Sequence, residues 1–214
     1  MVRLITAEFY TLRRLRLFQM IFLSALVVGI LNGFAPYTGY QVYSVSLIPE
    51  LFDAILVSAF TAAFVCTEFS NRTYGNAFLC GVMRQNVFFA KLVVYFPGLF
   101  ILILIPLVTS TAVATLRNGF GAGWATVALE VGAEFLVYIL YRFSMAGFAI
   151  LVASVIQNPV ATLGLSAAGI YLAVLTQNSM ENSTVQDAFI AFIIKILLLL
   201  SVATFIFIRR DLKF

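Results

Sequence analysis

Apolar runs of membrane-spanning length recur along the chain, separated by short polar or basic connections. They fall at about residues 17–34, 51–67, 92–116, 124–156, 160–176 and 188–208. About 20 apolar residues in a helix cross the hydrocarbon core of a bilayer, so the pattern predicts six transmembrane helices. Residues 2–16 read differently. Ile5, Phe9 and Leu12 recur at helical spacing while Arg3, Arg13, Arg14 and Arg16 supply cations. This predicts an amphipathic interfacial helix over residues 1–16, lying on an anionic inner leaflet. The competing reading is a frayed basic start that only orients the first span. Within the first run, Gly29 and Gly33 form a small-xxx-small spacing that admits another helix at close range. Residues 35–49 are a connection whose Tyr37, Tyr40 and Tyr43 suit the aromatic belt of an interface. Pro97 and Pro106 fall inside the third run, where lipid-embedded helices tolerate proline with a kink. Residues 117–123 read as a glycine-rich turn. The run Trp124–Ile156 is too long for one untilted span, which predicts an interfacial first part and a membrane part after Glu134. Gln157-Asn158-Pro159 ends it.

The cations give the six crossings a direction. With six spans, Arg3, Arg13, Arg14, Arg16, Arg72, Arg84, Lys91, Arg209, Arg210 and Lys213 share one side and Arg117 alone marks the other. The positive-inside rule then puts both termini in the cytoplasm of a prokaryotic plasma or inner membrane. Five or seven spans would mix the two sets. The first span serves as its own insertion signal, because no small-residue cleavage site follows it.

Composition agrees. The 214 residues are 63% hydrophobic and 10% charged, against about half and a quarter for soluble domains, and mean hydropathy is +1.06. The expectation is an all-α membrane protein with a single transmembrane domain over residues 1–214, in contact with membrane lipid. The net charge of +4 belongs to the inside-facing connections and calls for no nucleic-acid partner. With no His, no HExxH and no GxSxG, no catalytic set and no metal site is expected. Cys66 and Cys80 fall at the cytoplasmic face, where thiols stay reduced. No GxxxxGK[ST] run occurs, so the chain has no phosphate-binding loop of that kind.

The informative connection is residues 68–91, EFSNRTYGNAFLCGVMRQNVFFAK. Thr73 can cap a short helix over about residues 74–80 and Gly81 can end it. That helix would present Phe78, Leu79 and Val82 beside Arg72 and Arg84, a shape suited to a groove on a cytoplasmic partner. It is equally suited to packing against the inner ends of the spans. The order Glu68, Thr73, Gly81, Arg84, Lys91 resembles the cytoplasmic loop of type-two ATP-binding-cassette exporter permeases. There a Glu ending the second span starts a Glu-x-x-x-x-Thr stretch, followed by a small residue-x-x-Arg step and a Lys opening the third span. The layout resembles that family too, from amphipathic start to basic end. Asn71-Arg72 departs from the Gly that many members carry before the Thr. The resemblance implies that residues 68–91 are a coupling loop with a short coupling helix. It also implies a separate cytoplasmic ATPase subunit, which binds ATP and Mg, and pairing with a second copy or a related permease. Compact permeases of this kind often export antimicrobial peptides or protect their producer from them, and the resemblance implies a hydrophobic or amphipathic cargo.

Charges inside apolar runs are the remaining candidates. Glu130, Glu134, Tyr138 and Arg142 recur every four residues and share one helix face, and Asp53 and Lys195 interrupt other runs. A charge at the bilayer centre costs about 2.5–3.5 kcal/mol on insertion scales, so each is expected to face protein or water. They either line a substrate path or pair between helices, for instance with Asp53 or Lys195. A different class of function, an ion-coupled secondary transporter using Glu130 and Glu134, keeps the same residues. Such folds often carry internal repeats, and none is visible here.

Overall fold

The computed structural model describes residues 2–44, 50–66, 83–121, 124–156, 158–177 and 185–209. Among them every regular element is helical. In chain order these are α1 (Val2–Arg14), α2 (Arg16–Gly33), α3 (Gly39–Ser44), α4 (Glu50–Thr61), α5 (Arg84–Asn118), α6 (Trp124–Ile156), α7 (Pro159–Gln177) and α8 (Val185–Arg209). A π-helical turn, Ala62–Cys66, continues α4. Three segments, Arg16–Gly33, Asn86–Asn118 and Phe135–Ile156, are long and apolar enough to cross a membrane, and Leu51–Cys66, Pro159–Ala173 and Ile193–Ile206 are shorter apolar helices.

One boundary differs from the hydropathy reading, and one expected break is absent. α5 begins at Arg84, not at the start of the apolar run, so residues 84–91 of the expected loop are its first two turns. At 35 residues it is roughly 52 Å long, well beyond a hydrocarbon core of about 30 Å. Hydropathy detects only the part of a helix that is apolar. α6 is one unbroken helix over Trp124–Ile156, the same bounds as the apolar run. No break separates an interfacial part from a membrane part. The connection over residues 35–49 also contains a helix, α3, that the tyrosine pattern did not reveal.

α2 and α5 share the most extensive contact among the described helices, and glycine makes it possible. Gly29 and Gly33 are buried. A Cβ on Gly29 would stand 2.8 Å from the Pro106 Cα, and one on Gly33 would stand 2.8 Å from the Ser110 carbonyl oxygen. The small-xxx-small spacing therefore meets α5 at Pro106, and the helix runs unbroken through both prolines. Thr109 Oγ1 donates to the Ile105 carbonyl at 2.7 Å beside the proline that lacks an N–H.

The bundle has two distinct ends. At one, Gly119 and Gly121 take φ of 76° and 81°, a left-handed backbone that favours glycine. The turn they form bonds to α3: Gly39 N–H donates to the Gly119 carbonyl at 3.1 Å and Tyr40 N–H to that of Phe120 at 3.0 Å. Arg117 donates to the Phe34 carbonyl at 2.8 Å, satisfying the C-terminus of α2. At the other end, Cys66 Sγ donates to Thr162 Oγ1 at 3.3 Å, tying the π turn to the start of α7; Cys66 is a free thiol. Between the ends, Phe18, Phe60, Phe64, Tyr95, Phe96 and Phe143 form a continuous set of ring contacts.

Replacing Gly29 with Leu forces α2 away from the α5 backbone. The expected cost is about 3 kcal/mol or more, at or above the usual range for overpacking. Thermal unfolding in detergent checks this, with Val27→Leu on the exposed face of α2 as the silent control.

Candidate functional site: two buried charge centres

Among the described residues, buried charge occurs at two places. Asp53 on α4 belongs to the first, and Phe64, in the turn that continues α4, touches the second.

The first is the pair Asp53 and Arg142. Asp53 lies one turn into α4, Arg142 lies within the apolar window of α6, and the carboxylate Oδ2 meets the guanidinium Nη2. The two residues are 4% and 2% exposed, so the pair is shielded from the surroundings on every side. The Arg142 Cζ stands over the Tyr138 ring at 4.7 Å and the Tyr141 ring at 5.5 Å, so aromatic faces wrap a cation already neutralised by a carboxylate. Asp53, the acidic partner the sequence suggests, is the one Arg142 meets. Tyr138 joins Arg142 as the four-residue spacing predicts. Lys195 is exposed on α8 and is not part of this pair. The side chains of Glu130 and Glu134 lie outside the described residues. In this conformation Arg142 lines no open path.

The second centre joins the N-terminal helix to the start of α5. Lys91 is 2% exposed, and its Nζ lies 3.5 Å from Glu8 Oε2 on α1. The same ammonium stands 4.8 Å from the centroid of Phe64, in the π turn after α4. One helical turn beyond Glu8, Leu12 is buried, and its side chain lies 3.0 Å from where a Cβ on Gly98 would sit. Glu8 and Leu12 thus dock α1 onto the α5 face that carries Lys91 and Gly98. Sequence spacing gave Lys91 a place but no partner. The signal for Glu8 was its position: with Ile5 and Leu12 it lies on the inward face of an otherwise amphipathic helix. Phe9, grouped with that stripe by periodicity, is 45% exposed instead.

Of the coupling-loop candidates, Glu68, Arg72, Thr73, Phe78, Leu79 and Gly81, with the short helix expected around them, lie outside the described residues. Arg84 provides the first residue of α5. The loop therefore leaves the π turn at Cys66 and returns at the helix that bears Lys91, so the second centre stands at its base. No group of His, Cys, Asp and Glu able to hold a metal occurs among the described residues.

Removing one partner of a buried pair leaves the other charge uncompensated. Glu8→Gln and Lys91→Met are each expected to release α1 from α5. Protease nicking between α1 and α2, at Arg13 to Arg16, should then rise at least several-fold in membranes, while the double variant nicks no faster than Lys91→Met alone. Limited trypsin digestion followed by mass spectrometry reads this.

Residues 4–174 match a family model described as ABC-2 family transporter protein. No curated protein and no solved structure matches the chain.

Proposed function

Since the chain belongs to the ABC-2 family of transporter proteins, a family of membrane components served by ABC ATPases, we propose that it is the permease subunit of an ATP-driven exporter. The family match over residues 4–174 carries this reading. A separate cytoplasmic ATPase binds ATP and Mg, since this chain has no GxxxxGK[ST] run of its own. Two permeases, identical or related, pair across the membrane. The cargo is a hydrophobic or amphipathic molecule, with an antimicrobial or toxic peptide as the kind that the compact layout suggests.

Six crossings with both termini cytoplasmic fit the helices described. Three long and three shorter apolar helices follow one another in the required order. The ends also agree. At 1.5 Å per residue, Asp53 lies roughly 20 Å from Cys66 and Arg142 roughly 21 Å from Ile156. The two partners therefore meet at one depth when those helix ends share a membrane face. That face also carries Arg13, Arg14, Arg16 and Lys91, while Arg117 occupies the opposite end, which supports the inside assignment.

Coupling follows from this placement. ATP closes the ATPase dimer, and a loop docked on it moves with it. The loop is anchored at Cys66 on one side and at α5 on the other. Phe64, in the turn that ends at Cys66, touches Lys91 of α5, which Glu8 clamps. Displacement of the loop reaches α4, α5 and α1 together, and a cavity between two permeases changes its access.

The test is assembly with a candidate ATPase. Phe78→Asp with Leu79→Asp is expected to abolish co-purification and to cut permease-stimulated ATP hydrolysis at least tenfold, at unchanged membrane abundance. Unchanged assembly and hydrolysis would overturn docking through the loop. Cargo movement driven by a proton gradient with no ATPase present would favour the secondary-transporter reading.

A further inference from the structure

A cleft beside the first charge centre, sharing Tyr141 with it, lies between α6, α7 and α8. Its walls include Tyr141, Ser144, Met145 and Phe148 of α6, Gly169 and Ala173 of α7, and Lys195 of α8. Its volume is about 100 Å³, below the ~150 Å³ of an apolar cavity that takes up benzene. It admits the end of one apolar chain rather than a whole drug-sized molecule. Ala173 and Lys195 are both exposed, so the cleft opens on the outer surface of the bundle.

Lys195 is the unusual wall. Around it the outward face of α8 is apolar: Ile194, Leu197, Leu198 and Phe205 are 58%, 65%, 58% and 56% exposed. A lysine on such a face is costly at mid-bilayer unless an anion or water meets it. The packing of α6 on α8 fixes its level. A Cβ on Gly147 would sit 3.4 Å from the Leu199 Cβ. Lys195, one turn before Leu199, is therefore level with Phe143, next to Arg142. This layer holds two cations, Arg142 and Lys195, and Asp53 is the carboxylate at Arg142. The second cation is left facing a cleft that is mainly apolar.

We propose that this cleft is a binding site for an amphiphile drawn from the surrounding bilayer, with a single anionic head group and an apolar chain. The head, a carboxylate or a phosphate, sits on the Lys195 ammonium. The chain end enters the cleft bounded by Met145, Ile170 and Ala173. Gly169 lets the Phe148 ring lie directly against α7 and form one wall, because a Cβ there would stand 2.7 Å from that ring. The site is independent of the ATPase and of the export reading, since both charge and cleft belong to one chain.

The experiment uses the full-length protein in nanodiscs of a zwitterionic lipid, photolabelled with a diazirine-bearing long-chain fatty acid or with its methyl ester. The acid is expected to label peptides from α6, α7 and α8 at the cleft. Lys195→Met should lower that labelling at least fivefold and Lys195→Arg should retain it. Ala173→Phe, which fills the opening from an exposed position, should lower it at least fivefold with the charge intact. The ester should label weakly and equally in wild type and Lys195→Met. Equal labelling by acid and ester, or labelling that survives both Lys195→Met and Ala173→Phe, overturns the site and leaves Lys195 reaching the head-group layer on its own. Size-exclusion profiles matched to wild type establish that each variant is folded, and Lys195→Arg with Ala173→Phe decides the matter if Lys195→Met is not.

Discussion

Arg142 and Asp53 impose the strongest constraint on how these helices are arranged. An apolar bundle in lipid gains little by choosing one apolar face over another, because acyl chains and leucine side chains are equally apolar. A buried guanidinium is different. Away from water it requires a carboxylate, and Asp53 on α4 meets it. The pair therefore specifies which face of α6 meets which face of α4, and at what depth. Tyr138 and Tyr141 complete the enclosure with ring faces. Close packing of small residues, as at Gly29 and Gly33 against α5, then sets how near other helices come.

α4 connects this point to the turn Ala62–Cys66. From Asp53 to Phe64 is roughly 16 Å along the helix, and the π turn is fully buried where it meets α5. Phe64 touches Lys91, and Lys91 meets Glu8. One end of α4 is thus held by an ion pair in the apolar core, and the turn at its other end touches the Glu8–Lys91 pair. Thr61 adds a lateral tie, its hydroxyl 2.7 Å from the Tyr95 hydroxyl of α5.

Much of this was legible in the sequence, for identifiable reasons. The order and approximate bounds of the apolar helices follow from runs too apolar for any other environment. The close approach at Gly29 and Gly33 follows from their spacing. Arg142 and Asp53 stood out as costly, but linear spacing relates residues on one helix and not on neighbouring ones, so it could suggest their pairing without fixing it. Glu8 and Lys91, far apart in the chain, meet only because Leu12 and Gly98 dock α1 against α5. The start of α5 at Arg84 was hidden because residues 84–91 are helical without being uniformly apolar. The π turn left no mark in composition at all.

The central claim is that Arg142 and Asp53 act as one unit on which the bundle depends. Chemical or thermal unfolding of Asp53→Asn, Arg142→Gln and the double variant, measured in the same detergent, tests it. Each single variant is predicted to lose about 3–5 kcal/mol, the usual cost of stranding one partner of a buried pair. The double variant should be no less stable than the worse single one, because removing both charges strands neither. Single variants within about 0.5 kcal/mol of wild type, or losses that simply add in the double variant as they do for independent sites, would contradict the account.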